Sequence, residues 1–314
     1  MLQASVIIAC YNEERDIPGC LTDLLAQDYE NLEIIVVDDG STDRTVQLVE
    51  MFVEKSPKVK LLLVGERRGP GNARNTGAKA SSGEILVFRD ADSKAPDIHF
   101  IRNLVEPFED PEVQAVLASS YALIPTLSFL ERTLILSHYG HRLRRRGGLP
   151  EAYRKALFLE VGGFDSNLGF GEDVDLATRV LARPIKLAYT KGPVQVGAEV
   201  RSLRELVRRE LWYGSTILGY LQKRPSALVR VMYAILHPAV LFGVVLGLLW
   251  RPLLPISLLG LLLLLVYPFW KVVLSIRNTR WFVESLFIPA LQLFQGFVLS
   301  VGLVSRLVRA ALRH

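Results

Sequence analysis

Five short β-branched runs in the first 120 residues alternate with amphipathic stretches of helical period, and that alternation leaves few folds open. The runs are Ser5–Ala9, Glu33–Asp38, Lys60–Val64, Ile85–Phe88 and Val113–Leu117. Between them lie Ile17–Ala26, Thr42–Phe52, Asn72–Ala80 and Ile98–Phe108. Strand–helix alternation predicts an α/β, Rossmann-like domain: a mostly parallel sheet with helices on both faces. Such sheets take ligands beyond the carboxyl ends of their strands, where the strand order reverses. The polar clusters that directly follow strands are therefore the candidates for chemistry. A helical stretch at Leu127–Leu143, a Gly-rich loop at Gly162–Gly171, a helix from Glu172 to Ala182 and short strands at Ile185–Tyr189 and Val194–Val196 complete a first domain, residues 1–200.

The rest of the chain reads differently. In residues 201–230, Leu203, Leu206, Val207, Leu211 and Ile217 recur at helical spacing opposite Arg204, Arg208 and Arg209. Such a helix suits the plane of a membrane interface. Residues 231–314 hold three apolar segments, Val231–Trp250, Leu253–Trp270 and Trp281–Val304, with Trp250, Tyr267, Trp270 and Trp281 at their ends. Each is close to the ~20 residues that cross a bilayer, and aromatic ends suit its interfaces. An α-helical transmembrane domain of two to three helices is the expectation. Charge decides the partner. The chain carries a formal +5, yet residues 231–314 alone hold seven basic side chains and one acid. A basic excess set among apolar runs points to an anionic lipid surface and away from nucleic acid. No charged leader with a long apolar core follows Met1, so the first domain is expected on the cytosolic side of a multi-pass cell-membrane protein. Cys10 and Cys20 read as small apolar fillers of a reduced compartment.

Four strand ends carry polar clusters. Arg89-Asp90-Ala91-Asp92-Ser93 follows the fourth strand. Two carboxylates one residue apart on a tight turn suit a hard cation, Mg2+ or Mn2+, clamped against a diphosphate. Val36-Val37-Asp38-Asp39-Gly40-Ser41-Thr42-Asp43 follows the second, placing Asp39 to accept from a base or ribose and Ser41 or Thr42 to cap the next helix. The first leads to Ala9-Cys10-Tyr11-Asn12-Glu13, where Tyr11 can flank a nucleobase. Gly69-Pro70-Gly71-Asn72-Ala73-Arg74-Asn75 opens the third helix, and Arg74 suits a phosphate.

Taken in order, these runs, with Val161-Gly162-Gly163-Phe164-Asp165 and Gly171-Glu172-Asp173-Val174-Asp175, resemble the family-2 inverting glycosyltransferases of the GT-A fold over about residues 4–215. The resemblance implies a GDP- or UDP-sugar donor, a divalent metal and inversion at the anomeric carbon. It implies that Ala9, Tyr11, Glu13 and Asp39 hold the nucleoside, that Asp90 contacts ribose or the metal-bound diphosphate beside Ala91, that Asp92 is the principal metal ligand and that Asp173 is the general base. Glu172, Trp212, Arg208 and Arg209 fall on the acceptor side. The logic of an in-line displacement agrees: the acceptor hydroxyl needs a carboxylate within hydrogen-bond reach, and the leaving group needs a cation.

Departures narrow the reading. Membrane-bound relatives often carry Gln-x-x-Arg-Trp on the interface helix, whereas this chain has Arg208-Arg209-Glu210-Leu211-Trp212, which argues against processive polymer synthesis. Polyprenyl phosphate sugar synthases often show Gln where Lys94 stands, and their anionic acceptors need no base. The Glu172-Asp173 pair therefore favours a hydroxyl acceptor, lipid or lipid-linked, with Trp212 stacking on an acceptor sugar. Mannose from GDP-mannose is the first expectation. A UDP-sugar-dependent glucosyltransferase and a polyprenyl (dolichyl) phosphate sugar synthase are the alternatives. A nucleotidyltransferase would need a Gly-rich loop where Tyr11-Asn12-Glu13 stands, and an inactive tethered subunit would not keep Asp92 and Asp173.

Overall fold

The computed structural model describes residues 1–93, 95–123, 127–139, 149–196, 200, 202–223, 236, 240, 242–244, 246–278 and 282–311. Lys94, the arginine run 142–146, half of the segment expected at Val231–Trp250, Trp281 and Arg313 lie outside them. The chain forms two compact units, one of Met1–Pro125 with Arg144–Gly197, the other of Thr126–Leu143 with Ala198–His314.

The first unit is built on β1 (Ala4–Cys10), β2 (Leu32–Asp38), β3 (Val59–Leu63), β4 (Ile85–Asp90), β5 (Val113–Leu117), β7 (Pro150–Arg154) and β8 (Lys186–Tyr189), in the order β3-β2-β1-β4-β7-β5-β8. All neighbours are parallel except β7, which runs antiparallel to both β4 and β5. A separate parallel pair joins β6 (Tyr121–Leu123) to β9 (Val194–Val196). The expected mostly parallel α/β sheet is thus present, with β7 inserted where no strand is legible in the sequence.

Period-two alternation sends residues to opposite faces, and both faces here are covered. Val6, Ile8, Ile34 and Val36 pack one core with α1 (Ile17–Leu25), α2 (Thr45–Lys55) and α4 (Phe100–Val105). Ile7, Ile35 and Val37 pack the other with α3 (Pro70–Ala80), α6 (Lys155–Glu160) and α7 (Glu172–Leu181). Each fully buried Ile or Val contributes about 1.5–3 kcal/mol, which explains why β1 and β2 are unbroken apolar runs. At the amino ends of the strands, Glu33 is buried in register with Ser5. Its Oε1 accepts from Ser5 Oγ (2.5 Å), the Ser82 amide (2.5 Å) and the Gly83 amide (3.0 Å), and its Oε2 from Lys60 Nζ (2.7 Å). Burial alone would raise this carboxyl. Lys60, Ser5 and Ser82 outweigh burial and hold it at about 2.

The second unit is helical. α5 (Phe129–Tyr139) and α8 (Leu203–Lys223) share a small core of Leu134, Val200 and Leu206. The stretch expected within the first domain at Leu127–Leu143 therefore groups with the C-terminal helices. Lys271 Nζ donates to the Ser137 carbonyl (2.6 Å), Gln292 Nε2 to Ser137 Oγ (2.9 Å), and Arg132 pairs with Glu284 (2.8 Å). The expected apolar segments appear as helices Leu254–Asn278 and Ile288–Ala311. The segment expected as one helix from Trp281 breaks at Phe287, ahead of Pro289, which has no N–H to continue the hydrogen-bond ladder. Among the described residues one helix, Ile288–Arg309, is long and apolar enough to cross a membrane, where two to three are expected from the sequence.

α8 is the stretch whose charge pattern suits a membrane interface, and one side of it is covered by another helix. It packs on Ile288–Ala311, and a Cβ added to Gly214 would strike the Leu299 carbonyl, while one on Gly302 would strike that of Leu211. Buried Glu210 accepts from Gln295 Nε2 (2.9 Å) across the same contact.

Candidate active site

The strand order reverses between β1 and β4, since β2 and β3 continue on one side of β1 and β4 lies on the other. At this point Ala9 and Asp90 are register partners. Arg74, from α3, reaches over them. Its Nη2 donates to Asp90 Oδ1 (2.7 Å) and its Nη1 to Glu172 Oε1 (2.8 Å). One guanidinium, its side chain 13% exposed, thus joins the end of β4 to the start of α7. A planar fork serves two carboxylates at once, which an ammonium does not.

Below this bridge lies an aromatic floor. Phe88 stacks within 5.0 Å of Phe158 and 4.9 Å of Phe164, and Arg74 sits 5.4 Å over the Phe164 ring. Asn75 holds Phe164 in place, donating to its carbonyl (2.7 Å) and accepting from its amide (2.9 Å). Gly171 then takes φ +74°, a left-handed turn that a Cβ would strain, and delivers Glu172 and Asp173 into the first turn of α7. The helix dipole favours negative charge there.

The carboxylates of this edge are tuned apart. Asp90 stays open to solvent but is crowded by protein, which raises it; the charge and hydrogen bond of Arg74, helped by Arg89, outweigh that and hold Asp90 below the usual range. Burial raises Glu172 against the pull of Arg74. Asp173 keeps contact with solvent yet is crowded by protein, and that crowding raises it; the Val174 amide and Arg74 pull it down and Asp90 pushes it up. A carboxylate more basic than a free one is what a proton acceptor requires.

Asp92 is half-buried on the turn after β4, which Ser93 closes by donating through its amide (3.0 Å) and Oγ (2.6 Å) to the Asp90 carbonyl. Ala91 is buried between the two acids. The Asp90 side chain is 60% exposed although Arg74 holds its Oδ1. Two adjacent carboxylates fit a hard divalent cation. Among the described residues no cluster of three or more His, Cys, Asp or Glu forms a closed cage. Mg2+-type sites are ordinarily built from one or two carboxylates completed by substrate phosphates. Asp90 and Asp92 are the residues that would hold the ion.

Beside this edge, Asn12 takes φ +58° and ties two loops together. Its Oδ1 accepts from the Thr42 amide (2.7 Å) and its amide donates to Ser41 Oγ (2.9 Å). Ser41 and Thr42 are thereby used across the gap and do not cap α2. Asp43 takes that role, its Oδ1 accepting from the Thr45 amide (2.9 Å) and hydroxyl (2.5 Å). The Glu13 amide donates to Thr45 Oγ1 (2.8 Å). Asp39 is buried and accepts from the amides of Arg68 (2.8 Å) and Gly69 (2.7 Å), so it organises the loop after β3. From that loop Arg67 lies 3.9 Å over the Tyr11 ring.

The structure therefore brings Ala9, Arg74, Asp90, Ala91, Asp92, Glu172 and Asp173 to one edge, with Tyr11, Glu13 and Asp39 on the adjoining loops. Arg208, Arg209 and Trp212 belong to the second unit. There Arg208 is exposed, Arg209 donates to Glu210 (3.2 Å) and lies 5.6 Å over Tyr213, and Trp212 is half-buried against Tyr213. Sequence reasoning passes over Asn75 and Arg67, which carry no signal beyond the motif they sit in, and Glu151 of β7.

Residues 5–158 match the model of Glycosyl transferase family 2. An uncharacterized glycosyltransferase of Haemophilus influenzae is 35% identical over 88 residues, covering 28% of this chain and 35% of the relative. The chain spans about a third to a half of the length of the curated relatives it matches. Among solved structures, the mannosyltransferase PcManGT from Pyrobaculum calidifontis, in complex with GDP-Man and Mn2+, shares the fold with a TM-score of 0.56 and 21% identity, over 96% of this chain and 87% of that one. S. aureus TarS 1–349 in complex with UDP-GlcNAc does so with a TM-score of 0.51 and 20% identity, over 68% and 67%. The family model and the glycosyltransferase-named relatives support a glycosyltransferase enzyme.

Proposed function

We propose that this chain, whose residues 5–158 carry a glycosyltransferase family 2 domain, moves a hexose with inversion from a nucleotide sugar to a hydroxyl of a lipid or lipid-linked acceptor. The observation that carries the reading is the Arg74 bridge: it sets Asp173 on the same edge as Asp90 and Asp92. In this reading Tyr11 flanks the nucleobase, Asp39 shapes its pocket, and Asp90 and Asp92 face the diphosphate. A divalent cation held there supplies neutralisation of the charge that develops on the leaving nucleoside diphosphate. Asp173 accepts the proton of the incoming hydroxyl as its oxygen forms the bond to the anomeric carbon. Arg74 keeps Asp90 ionised for its role, and its charge moderates Asp173.

Mannose from GDP-mannose is the donor put first, in line with the bound GDP-Man of the Pyrobaculum neighbour. The UDP-GlcNAc bound by TarS favours a second reading, a UDP-sugar donor. For the membrane, support comes from the helix Leu254–Asn278, where Ile256, Leu259, Leu262, Val266, Phe269 and Trp270 are each more than half exposed. A run of exposed apolar side chains along one helix suits lipid or protein contact. We place the C-terminal helices in or on the cell membrane, with the sheet domain cytosolic and Arg208, Arg209 and Trp212 toward the acceptor.

The test is a donor screen of the detergent-solubilised full chain with Mn2+ and a membrane lipid extract, read by mass. GDP-mannose consumption with a lipid product is expected, abolished in Asp92→Ala and by chelation. Absence of turnover with every GDP- and UDP-sugar, or full activity in Asp92→Ala, would sink the proposal.

A further inference from the structure

Glu151 is a fifth carboxylate on the site's edge, and the function above does not use it. It lies on β7, whose register sets Tyr153 opposite Leu86 and Ala152 opposite Val87. The pairing with β4 runs as far as Ala152 opposite Val87, and against β5 the strand bulges at Glu151, Leu117 pairing with Pro150. Three observations mark the faces of its neighbours. Tyr153, two residues along, packs in the core that contains α3, α6 and α7. Phe88 stacks on Tyr153 (6.0 Å) and Phe158 (5.0 Å) of that core. Arg89, on the opposite face, lies 4.7 Å over Phe100. Glu151 directly precedes the residue paired with Val87 and lies near enough to feel the charges of Arg89 and Asp90 and to act on Tyr153, so it borders the acids of this edge.

The arithmetic of charge on this edge is uneven. Arg74 serves Asp90 and Glu172. No described residue donates a hydrogen bond to Glu151 or pairs with it, although it is only partly exposed. A half-buried carboxylate without a donor is costly to keep. Sugars supply what is missing, because a carboxylate accepts from adjacent hydroxyls at once.

Resting on the glycosyl-transfer reading, we infer that Glu151 is a specificity-determining residue that accepts hydrogen bonds from sugar hydroxyls beside Asp90. Two sources share this chemistry: the sugar of the donor and a sugar or alcohol of the acceptor.

The experiment uses the full chain in detergent with Mn2+, comparing the unchanged protein with Glu151→Gln and Glu151→Asp. Calorimetry measures GDP, UDP, GDP-mannose and UDP-GlcNAc. Turnover is divided between hydrolysis and transfer to octyl α-mannoside. If the donor sugar is the ligand, Glu151→Gln binds the nucleotide sugar about tenfold more weakly while the nucleoside diphosphate is unaffected, and Glu151→Asp recovers part of the loss. If the acceptor is the ligand, donor binding holds and the ratio of transfer to hydrolysis falls about tenfold. Equal weakening of nucleoside diphosphate and nucleotide sugar would make Glu151 structural and overturn the inference, as would no change in any reading. Hydrolysis without any transfer by the unchanged protein would remove the acceptor arm and leave the donor arm to decide. If the unchanged protein binds neither GDP nor UDP, the proposed function itself fails, a result separate from all of these.

Discussion

The strands of the sheet end in two chemically different ways. At their amino ends Glu33 is buried with four donors around it, three of them on one oxygen, and its carboxyl is held at about 2. At their carboxyl ends the acids outnumber their partners: Arg74 answers Asp90 and Glu172, while Asp173 and Glu151 are pushed upward, Glu151 to about 7 by burial and by Asp90 against Arg89. One end spends its charge on holding the fold. The other holds acids that the fold alone does not satisfy, and residues of that kind cluster where ligands bind.

The contrast can be broken most sharply at Asp173. Asp173→Asn keeps shape and loses basicity, so turnover should fall by about 10²–10⁴-fold. The unfolding midpoint should not fall with it, because removing a raised acid relieves the folded state at neutral pH. Loss of activity together with loss of stability would erase the distinction between the two ends.

Glu33→Gln should do the reverse. A shift from the ordinary glutamate value of 4.5 to about 2 corresponds to about 3 kcal/mol. That is roughly 6–12 °C in the unfolding midpoint of a domain this size, with turnover per folded molecule unchanged. The sign with pH follows from the depressed carboxyl. Its contribution is whole above about pH 4.5 and is lost as the pH falls toward 2. The unchanged protein should thus lose stability across that window and the variant should lose less; parallel acid melts for the two would contradict the assignment.

The smallest effect sharpens the site's side of the comparison. Asn75→Ala removes two hydrogen bonds to Phe164, worth about 1–3 kcal/mol together. It should lower the midpoint by a few degrees and loosen the aromatic floor under Arg74. A rise in donor KM with metal affinity preserved, read by calorimetry, would confirm that Asn75 acts through the loop.

Much of this was legible in the chain. Runs such as Val6-Ile7-Ile8 and Ile34-Ile35-Val36-Val37 are apolar at every position because both faces are buried, and their ends set the polar clusters on one edge. What could not be read is what tertiary pairing creates. β7 reads Pro-Glu-Ala-Tyr-Arg, a pattern with no strand signal, and exists because β4 and β5 both need a neighbour; missing the strand meant missing Glu151. The Arg74–Glu172 contact spans 98 residues. In the helical half, hydropathy marked the helices at Leu254–Asn278 and Ile288–Ala311, but not the break before Pro289.

Where α8 meets Ile288–Ala311, Gly214 and Gly302 leave no room between the backbones for a methyl group. The two helices are interlocked, and neither can slide past the other without first separating. Whatever greasy phase the last helix enters, the cationic one travels with it. The transfer energy that decides the matter belongs to the couple, and a hydropathy sum over either member taken singly will misjudge it.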